Sequence, residues 1–489
     1  MADCRQLHPG DNVAVALRDL PAGQVACGVT LRGPIPQGHK FALRGIAAGQ
    51  PVVKYGYPIG RATARIPSGA WVHTHNMETG LSGVEPYRYE PDGRRLPPQP
   101  PDVFWGFPRA DRRAGVRNEL WIVPTVGCVN GVAGRIERAA QGLAGEGLEG
   151  VYAFPHPHGC SQMGEDLART RQALLRLIRH PNAAGVLLLS LGCEYIQPED
   201  IRAQLTGEEL RRVRFLTCQD TQDEVGDALA ALGELAREAR AARRQATPVS
   251  ELVVGLKCGG SDGLSGITAN PLVGRVSDRL AAQGATPLLT EVAEMFGAEG
   301  LLLNRCVTEA VFRKAVAMLD GVKRDLLSRG LAIYENPSPG NKDGGITTLE
   351  DKSLGCTQKG GAAEITDVLS YGQPATRPGL NLLDCPSNDL VAANGQVLSG
   401  AQLVLFTTGR GTPFGSPVPT MKIATNSPLY RKKPDWLDFN AGVLAEGADW
   451  ERTAADFYAA VLRVASGERT AAERAGFRDL VLWKDGVTL

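Results

Sequence analysis

Apolar and polar positions follow two different rhythms along this chain, and the change between them marks its organisation. Up to about residue 85 the apolar runs are short, at 13–17, 52–53 and 71–72, with Pro/Gly turn signals at 21–23, 34–38 and 67–69 between them. That punctuation predicts a compact β unit without a long helix. From 104 onward the runs read as buried strands at 120–126, 151–154, 186–191, 252–256, 287–290 and 403–406. Between them apolar residues recur at helical spacing, as in Leu167, Leu174 and Ile178, or Val225, Leu229, Leu232 and Ala236. Strands alternating with amphipathic helices predict an α/β region with a mostly parallel sheet. A closing helix with Phe457, Val461 and Val464 on one face is expected to serve packing alone. The expected division is a small β domain at 1–90, a linker at 91–103 rich in proline, one α/β lobe at 104–245 and a second at 246–489.

Several strands run into segments dense in reactive groups. The richest is Gly255-Leu-Lys-Cys-Gly-Gly-Ser-Asp-Gly-Leu-Ser-Gly-Ile-Thr-Ala-Asn-Pro271, which reads as the floor of a polar active site. Its glycines permit sharp turns, and Lys257, Cys258, Ser261, Asp262, Ser265, Thr268 and Asn270 supply charge and hydrogen bonds. In parallel sheets ligands bind at the carboxyl ends of strands. Gly-Cys pairs follow three predicted strands, at Cys128, Cys160 and Cys193, and are expected to converge on one cavity. Three thiols there suit iron, as a lone Fe(II) or as a cluster with one open iron; the competing reading is that they are small packing residues. In the β unit, His73 and His75 stand two apart, a spacing that on a strand would offer two imidazoles to one metal. His39 and Lys40 form a second polar motif there. Arg410 and Lys422, in later Gly/Thr-rich loops, read as carboxylate binders. The segment 336–352 has the composition of a functional surface loop.

Composition narrows the partners. The chain has 489 residues with 53 basic and 53 acidic side chains, so its formal charge is zero and nothing points to nucleic acid or a membrane surface. No apolar run reaches membrane-span length and the amino terminus lacks a signal-peptide pattern, so a cytoplasmic location is expected. Ten cysteines are too few for a disulfide scaffold and are expected to be reduced. A small molecule is the expected partner, and self-association is left open. No phosphate loop is present, since 127–134 matches none.

The motifs together resemble the altronate/galactarate dehydratase family, which also holds sulfolactate sulfo-lyase. The likeness runs through Gly38-His-Lys-Phe-Ala-Leu43, Val72-His-Thr-His-Asn76, Gly115-Val-Arg-Asn-Glu-Leu-Trp121, Pro124-Thr-Val-Gly-Cys-Val-Asn130, the 258–271 stretch, Asn336-Pro-Ser-Pro-Gly-Asn-Lys342, Gly355-Cys-Thr-Gln-Lys359 and Thr408-Gly-Arg-Gly-Thr-Pro413. The resemblance implies an amino-terminal β-clip module of the SAF type, a multi-lobed α/β catalytic region, and dependence on Fe(II) or Mn(II). It implies dehydration of a sugar acid such as D-altronate to 2-dehydro-3-deoxy-D-gluconate in hexuronate breakdown, with galactarate dehydration or sulfolactate cleavage as alternatives. A sugar-acid binding protein is the non-enzyme alternative. The His-x-His-Asn segment resembles the altronate branch. His156-Pro-His-Gly-Cys160 departs from the pattern and leaves His158 without a role. Dehydration needs a base for the α-proton and an acid for the leaving hydroxyl. His39, Lys40, His75 and Lys257 are candidates, with Asp262 orienting.

Overall fold

A computed structural model describes residues 2–489. The amino-terminal unit is all β, as its short apolar runs require. Strands Cys4–Arg5, Val13–Ala16, Lys40–Ala42 and Trp71–Val72 form one antiparallel sheet in that order, and Pro51–Lys54, Tyr57–Ala62 and Met77–Glu78 form another. The inner positions Val13, Ala42, Ile46, Val52, Ile59 and Val72 close a small core between them. Contrary to the expectation of reduced thiols, Cys4 and Cys27 are joined as a disulfide within this unit.

The linker is extended but not free. Asp92 and Gln99 donate backbone hydrogen bonds to Asn304 and Ala282, and Leu96 packs on the core of the last lobe. Leu96 is its anchor, while its prolines stay exposed. Strand Val103–Gly106 then pairs antiparallel with Gln245–Pro248, so the chain enters and leaves the middle unit side by side. That unit is a four-stranded parallel sheet in the order Gly150–Ala153, Glu119–Pro124, Ala183–Ser190, Val213–Thr217. Helices Gly164–Ile178 and Glu224–Ala239 form over the two predicted helical patterns.

The last unit carries seven parallel strands in the order Ile365–Leu369, Leu380–Leu383, Thr286–Leu289, Val253–Cys258, Leu403–Thr408, Thr420–Ala424, Phe439–Asn440. Its central strands are buried throughout, which is why they read as unbroken apolar runs. Trp121 and Phe154 of the middle unit share a core with Phe406, Phe414 and Leu480, so the two lobes are packed together. None of the helices in the described residues is long and apolar enough to cross a membrane.

Candidate functional site

The glycine-rich stretch after strand Val253–Cys258 is buried almost throughout, and the amino-terminal β unit meets it at Gly263 and Gly266. Gly263 N donates to Gly344 O at 2.7 Å, and a Cβ on Gly263 would stand 1.9 Å from Gly38 O. Two backbones meet here at a distance only glycine permits. The stretch expected as the floor of a polar active site is covered in the structure, and it is the seat on which the β unit rests. Its side chains face inward and are satisfied. Asp262 accepts from Leu264 N, Ser265 Oγ, Thr425 Oγ1 and Asn426 Nδ2, while burial pushes its carboxyl above the usual range. Thr268 donates to Leu264 O and Thr425 O, and Asn270 is held between Gly355 O and the Thr407 hydroxyl. Ser261 is buried, and Asn341 clasps its carbonyl.

Two lysines chosen as chemical groups have structural duties. Lys257 is fully buried against Glu291 and Asp389; burial opposes its charge, but those carboxylates hold the amine well above its ordinary value. It stays an ammonium and is a poor base. Lys422 points at the carbonyls of Thr412 and Phe414, and burial pulls it down to about 8. It caps a loop and meets no surface. Arg410 alone among the substrate-binding candidates is exposed.

The segment 336–352, expected as a surface loop, is folded inward because the β unit supplies its missing apolar and charged partners. It forms short helices at Pro339–Asp343 and Leu349–Cys356 and meets His39, Lys40 and His73. Lys40 Nζ contacts Gly345 O, Thr347 Oγ1 and Asp351 Oδ2, each at 2.8 Å. Lys54 Nζ takes the other Asp351 oxygen at 3.0 Å. One carboxylate thus serves two buried ammonium groups. Burial, with the Lys54 charge, brings the Lys40 amine down to about 8, whereas Lys54 is raised by Asp351 in spite of its burial. Against the cost of burial, the two lysines hold Asp351 well below the carboxylate range.

His73 continues this chain of contacts. Its Nδ1 lies 3.1 Å from Thr347 Oγ1, and burial together with the Lys40 charge brings its pKa down to about 4, so it is neutral. His39 has both nitrogens engaged: Trp71 Nε1 donates to Nδ1 at 3.2 Å, and Nε2 faces Asp343 O at 3.2 Å. A ring so occupied positions its neighbours and has no lone pair to spare. The strand ends at Val72, so His73 and His75 sit in a turn and not two apart on a strand. His73 is buried and stacked on Trp71, while His75 is exposed. The strand geometry that suggested a two-imidazole metal pair is absent.

Cys128, Cys160 and Cys193 are all exposed free thiols on loops that follow strands Glu119–Pro124, Gly150–Ala153 and Ala183–Ser190. Those strands are consecutive in the sheet, so the loops are neighbours. They are also tied together: Gly127 N donates to His158 O at 2.8 Å, Asn130 Nδ2 to His156 O at 3.0 Å, and Thr125 Oγ1 bonds Glu194. His158 faces Leu482 O, where it anchors the carboxyl-terminal segment. Among the described residues no hydrogen bond or ring contact joins these loops to the histidines of the β unit, so the expected thiol site and the expected histidine pair are separate places in the structure.

With this geometry, the whole-chain comparisons become informative. Residues 3–80 match the altronate/galactarate dehydratase SAF domain, 106–240 the second domain of D-galactarate dehydratase/altronate hydrolase, and 249–488 the D-galactarate/altronate dehydratase C-terminal domain. The chain is 50% identical over 491 residues to altronate dehydratase of Escherichia coli and 48% identical over 492 residues to that of Bacillus subtilis, covering 99% of each chain in both cases. Galactarate dehydratase (L-threo-forming) of Escherichia coli is 35% identical over 487 residues, 95% of this chain and 93% of that one. The chain belongs to the D-galactarate/altronate dehydratase family.

For this family member the amino-terminal unit is a SAF domain. It delivers Lys40, Lys54 and His73 to the C-terminal domain, where Thr347 and Asp351 receive them. Thr347, Asp351 and Lys54 escape sequence reasoning, because their partners lie about 300 positions away, and Trp71, whose partners His39 and His73 are near in sequence, reads there only as a strand residue. One signal was available: Lys40 and Lys54 each adjoin apolar strand residues, Phe41-Ala42 and Val52-Val53, where a charge must find a buried partner.

Proposed function

We propose that this chain dehydrates D-altronate, removing the C2 proton and the C3 hydroxyl to give 2-dehydro-3-deoxy-D-gluconate and water. The observation that carries the substrate is the end-to-end likeness to two altronate dehydratases at about half identity, against roughly a third for the galactarate enzyme. On this reading the chain would serve hexuronate breakdown.

The proton chemistry falls to the relay His73–Thr347–Lys40. As an ammonium Lys40 donates to Gly345 O, Thr347 Oγ1 and Asp351; once neutral it keeps two N–H groups, for Gly345 O and Asp351, and its lone pair is free to accept from the Thr347 hydroxyl. The hydroxyl oxygen then accepts from His73 Nδ1, which leaves Nε2 to take the C2 proton. As Nε2 gains a proton, Nδ1 passes one to Thr347 and Thr347 passes one to Lys40. The charge comes to rest as an ammonium beside Asp351, where it is paired. His39 and Trp71 hold the imidazole edge-on and stacked, at ring separations of 5.0 and 5.4 Å.

For the family's iron or manganese, Cys128, Cys160 and Cys193 are on this reading the residues that would hold it. They are exposed thiols on adjoining, cross-tied loops, and thiol donors would suit iron, alone or in a cluster, better than manganese, although among the described residues their sulfurs do not all lie within 4.8 Å of one another. When bound, such a cation polarises a substrate carboxylate or hydroxyl and eases loss of the C3 oxygen. The test is an anaerobic product assay on D-altronate, galactarate and sulfolactate with parallel metal analysis. Turnover of D-altronate at least ten-fold above the other two is expected, and a preference for galactarate or sulfolactate would overturn the assignment.

A further inference from the structure

At the end of the middle sheet away from the thiol loops, three arginines gather around one carboxylate. Arg109 and Arg112 lie in the segment that leads into strand Glu119–Pro124, and Arg212 directly precedes strand Val213–Thr217, so they stand at the amino ends of the strands. Arg112 Nη1 donates to Asp111 Oδ1, and Arg212 Nη2 reaches Asp111 Oδ2 at 3.5 Å. Their other hydrogen bonds go to four backbone carbonyls, among them Ile178 O at the end of helix Gly164–Ile178. Arg112 Nε and Arg212 Nε are nevertheless buried with no acceptor among the described residues. A buried N–H without a partner is costly, and a guanidinium offers two N–H groups side by side to an oxyanion. On Arg212 that edge holds only the long Asp111 contact.

The charges point the same way. Three guanidinium groups against Asp111 leave two positive charges in excess. The next acids outward are already paired, Glu209 with Arg179 and Glu149 with Arg244, each at 2.7 Å. The neighbouring His180 is brought down to about 3 by burial and is neutral. The carboxyl end of helix Gly164–Ile178, which Arg212 caps, offers about half a negative charge. Burial, followed by the repulsion among the three, brings Arg109 down to about 9 and Arg112 to about 10.

We propose that Arg109, Arg112 and Arg212 form a subsite for a tetrahedral oxyanion of the phosphate class, free or carried on a small metabolite.

A dianion matches the two excess charges with Asp111 still paired to Arg112, and its oxygens supply the acceptors that the two Nε–H groups lack. Asp111 is exposed, so its side chain is the one that yields as the anion enters. Bound there, the anion ties the segment entering the middle unit to the edge strand Val213–Thr217. It stabilises that lobe from the end of the sheet opposite the thiol loops, whichever sugar acid the enzyme takes.

The test uses the full chain in phosphate-free buffer at fixed ionic strength, with radiolabelled inorganic phosphate in equilibrium dialysis and thermal melting in parallel. One saturable phosphate per chain is expected, with a rise in melting temperature that chloride at the same ionic strength does not reproduce. Arg212→Lys, which keeps the charge and loses the fork, should weaken binding at least ten-fold. Arg109→Gln should do the same, and it carries the test should the lysine variant fail to fold. Arg214→Gln, two residues along and paired with Glu234 instead, should bind as the native chain does. Methyl phosphate separates the two sources: displacement of the label assigns the site to a phosphorylated metabolite, and resistance assigns it to the free ion. Absence of saturable binding, or native affinity in both Arg109→Gln and Arg212→Lys, would overturn the site.

Discussion

A lysine amine buried beside a second ammonium is the most informative single group in this molecule. Two lysines and one carboxylate leave one positive charge under-compensated, and Lys40 is the one brought down to about 8. Because its amine titrates below that of an unfolded lysine, the unfolded chain binds more protons between about pH 8 and about 10.5. This group's contribution to stability therefore rises with pH across that window, and below it the cost of holding the ammonium is fully present. In catalysis the same value sets the acid limb: the rate should climb through pH 8 as the relay's terminal amine becomes neutral. Thr347→Val should cut kcat by about 10- to 1000-fold, with less change in KM, and remove that limb, as befits a broken proton path. A pH–rate profile unchanged in Thr347→Val would remove the relay from the mechanism. The sequence made Lys40 and His39 visible as polar groups in a β unit, but the ranking among His39, Lys40, His73 and Lys257 depends on partners far along the chain. Lys257 is one of the base candidates that the sequence offers, and Glu291 and Asp389 hold it as an ammonium.

Elements follow the same logic of local legibility and distant control. Strands Val253–Cys258 and Leu403–Thr408 were legible because both faces are covered by protein, so nearly every position is apolar. The stretch 259–268 was legible as special but not as covered, because its polar atoms are consumed by Thr425, Asn426 and Gly344 rather than offered to a ligand. Gly263 tests this reading. Its added Cβ would collide with Gly38 O, whose own residue holds φ of 80° and whose neighbour His39 is fixed by Trp71 and Asp343. Neither backbone can retreat without moving the relay. Gly263→Ala should therefore lower stability by about 1–3 kcal/mol, the cost typical of overpacking, and reduce activity further than the stability loss explains. Thermal melting alongside kcat would show it. Full activity in a stable Gly263→Ala chain would mean that the SAF seat is looser than the contact requires.

At the scale of the whole molecule, the division into a β unit and two α/β lobes follows from the rhythm of apolar positions, while the way they share work does not. The proton relay joins the SAF domain to the last lobe, and the exposed thiols stand on the middle lobe, whose core is continuous with the last through Trp121, Phe406 and Phe414. No sequence period encodes which lobe faces which, because those contacts are made by single residues at element ends. The thiols give the sharpest test of that arrangement. Exposed cysteines that only pack would be unusual, and Cys→Ser at an exposed position should cost almost no stability. If Cys128, Cys160 and Cys193 hold iron, each substitution to serine should lower iron content and D-altronate turnover together, by ten-fold or more, since a hydroxyl is a far weaker soft-metal donor than a thiolate. The melting temperature of the metal-free chain should stay within about 2 °C, because nothing buried is disturbed. Air exposure of the native enzyme should reproduce the loss, and anaerobic Fe(II) with thiol should reverse it in the native chain but not in the variants. Iron content that stays at the native level in all three variants would detach these loops from the metal and leave the relay as the only chemistry the fold displays.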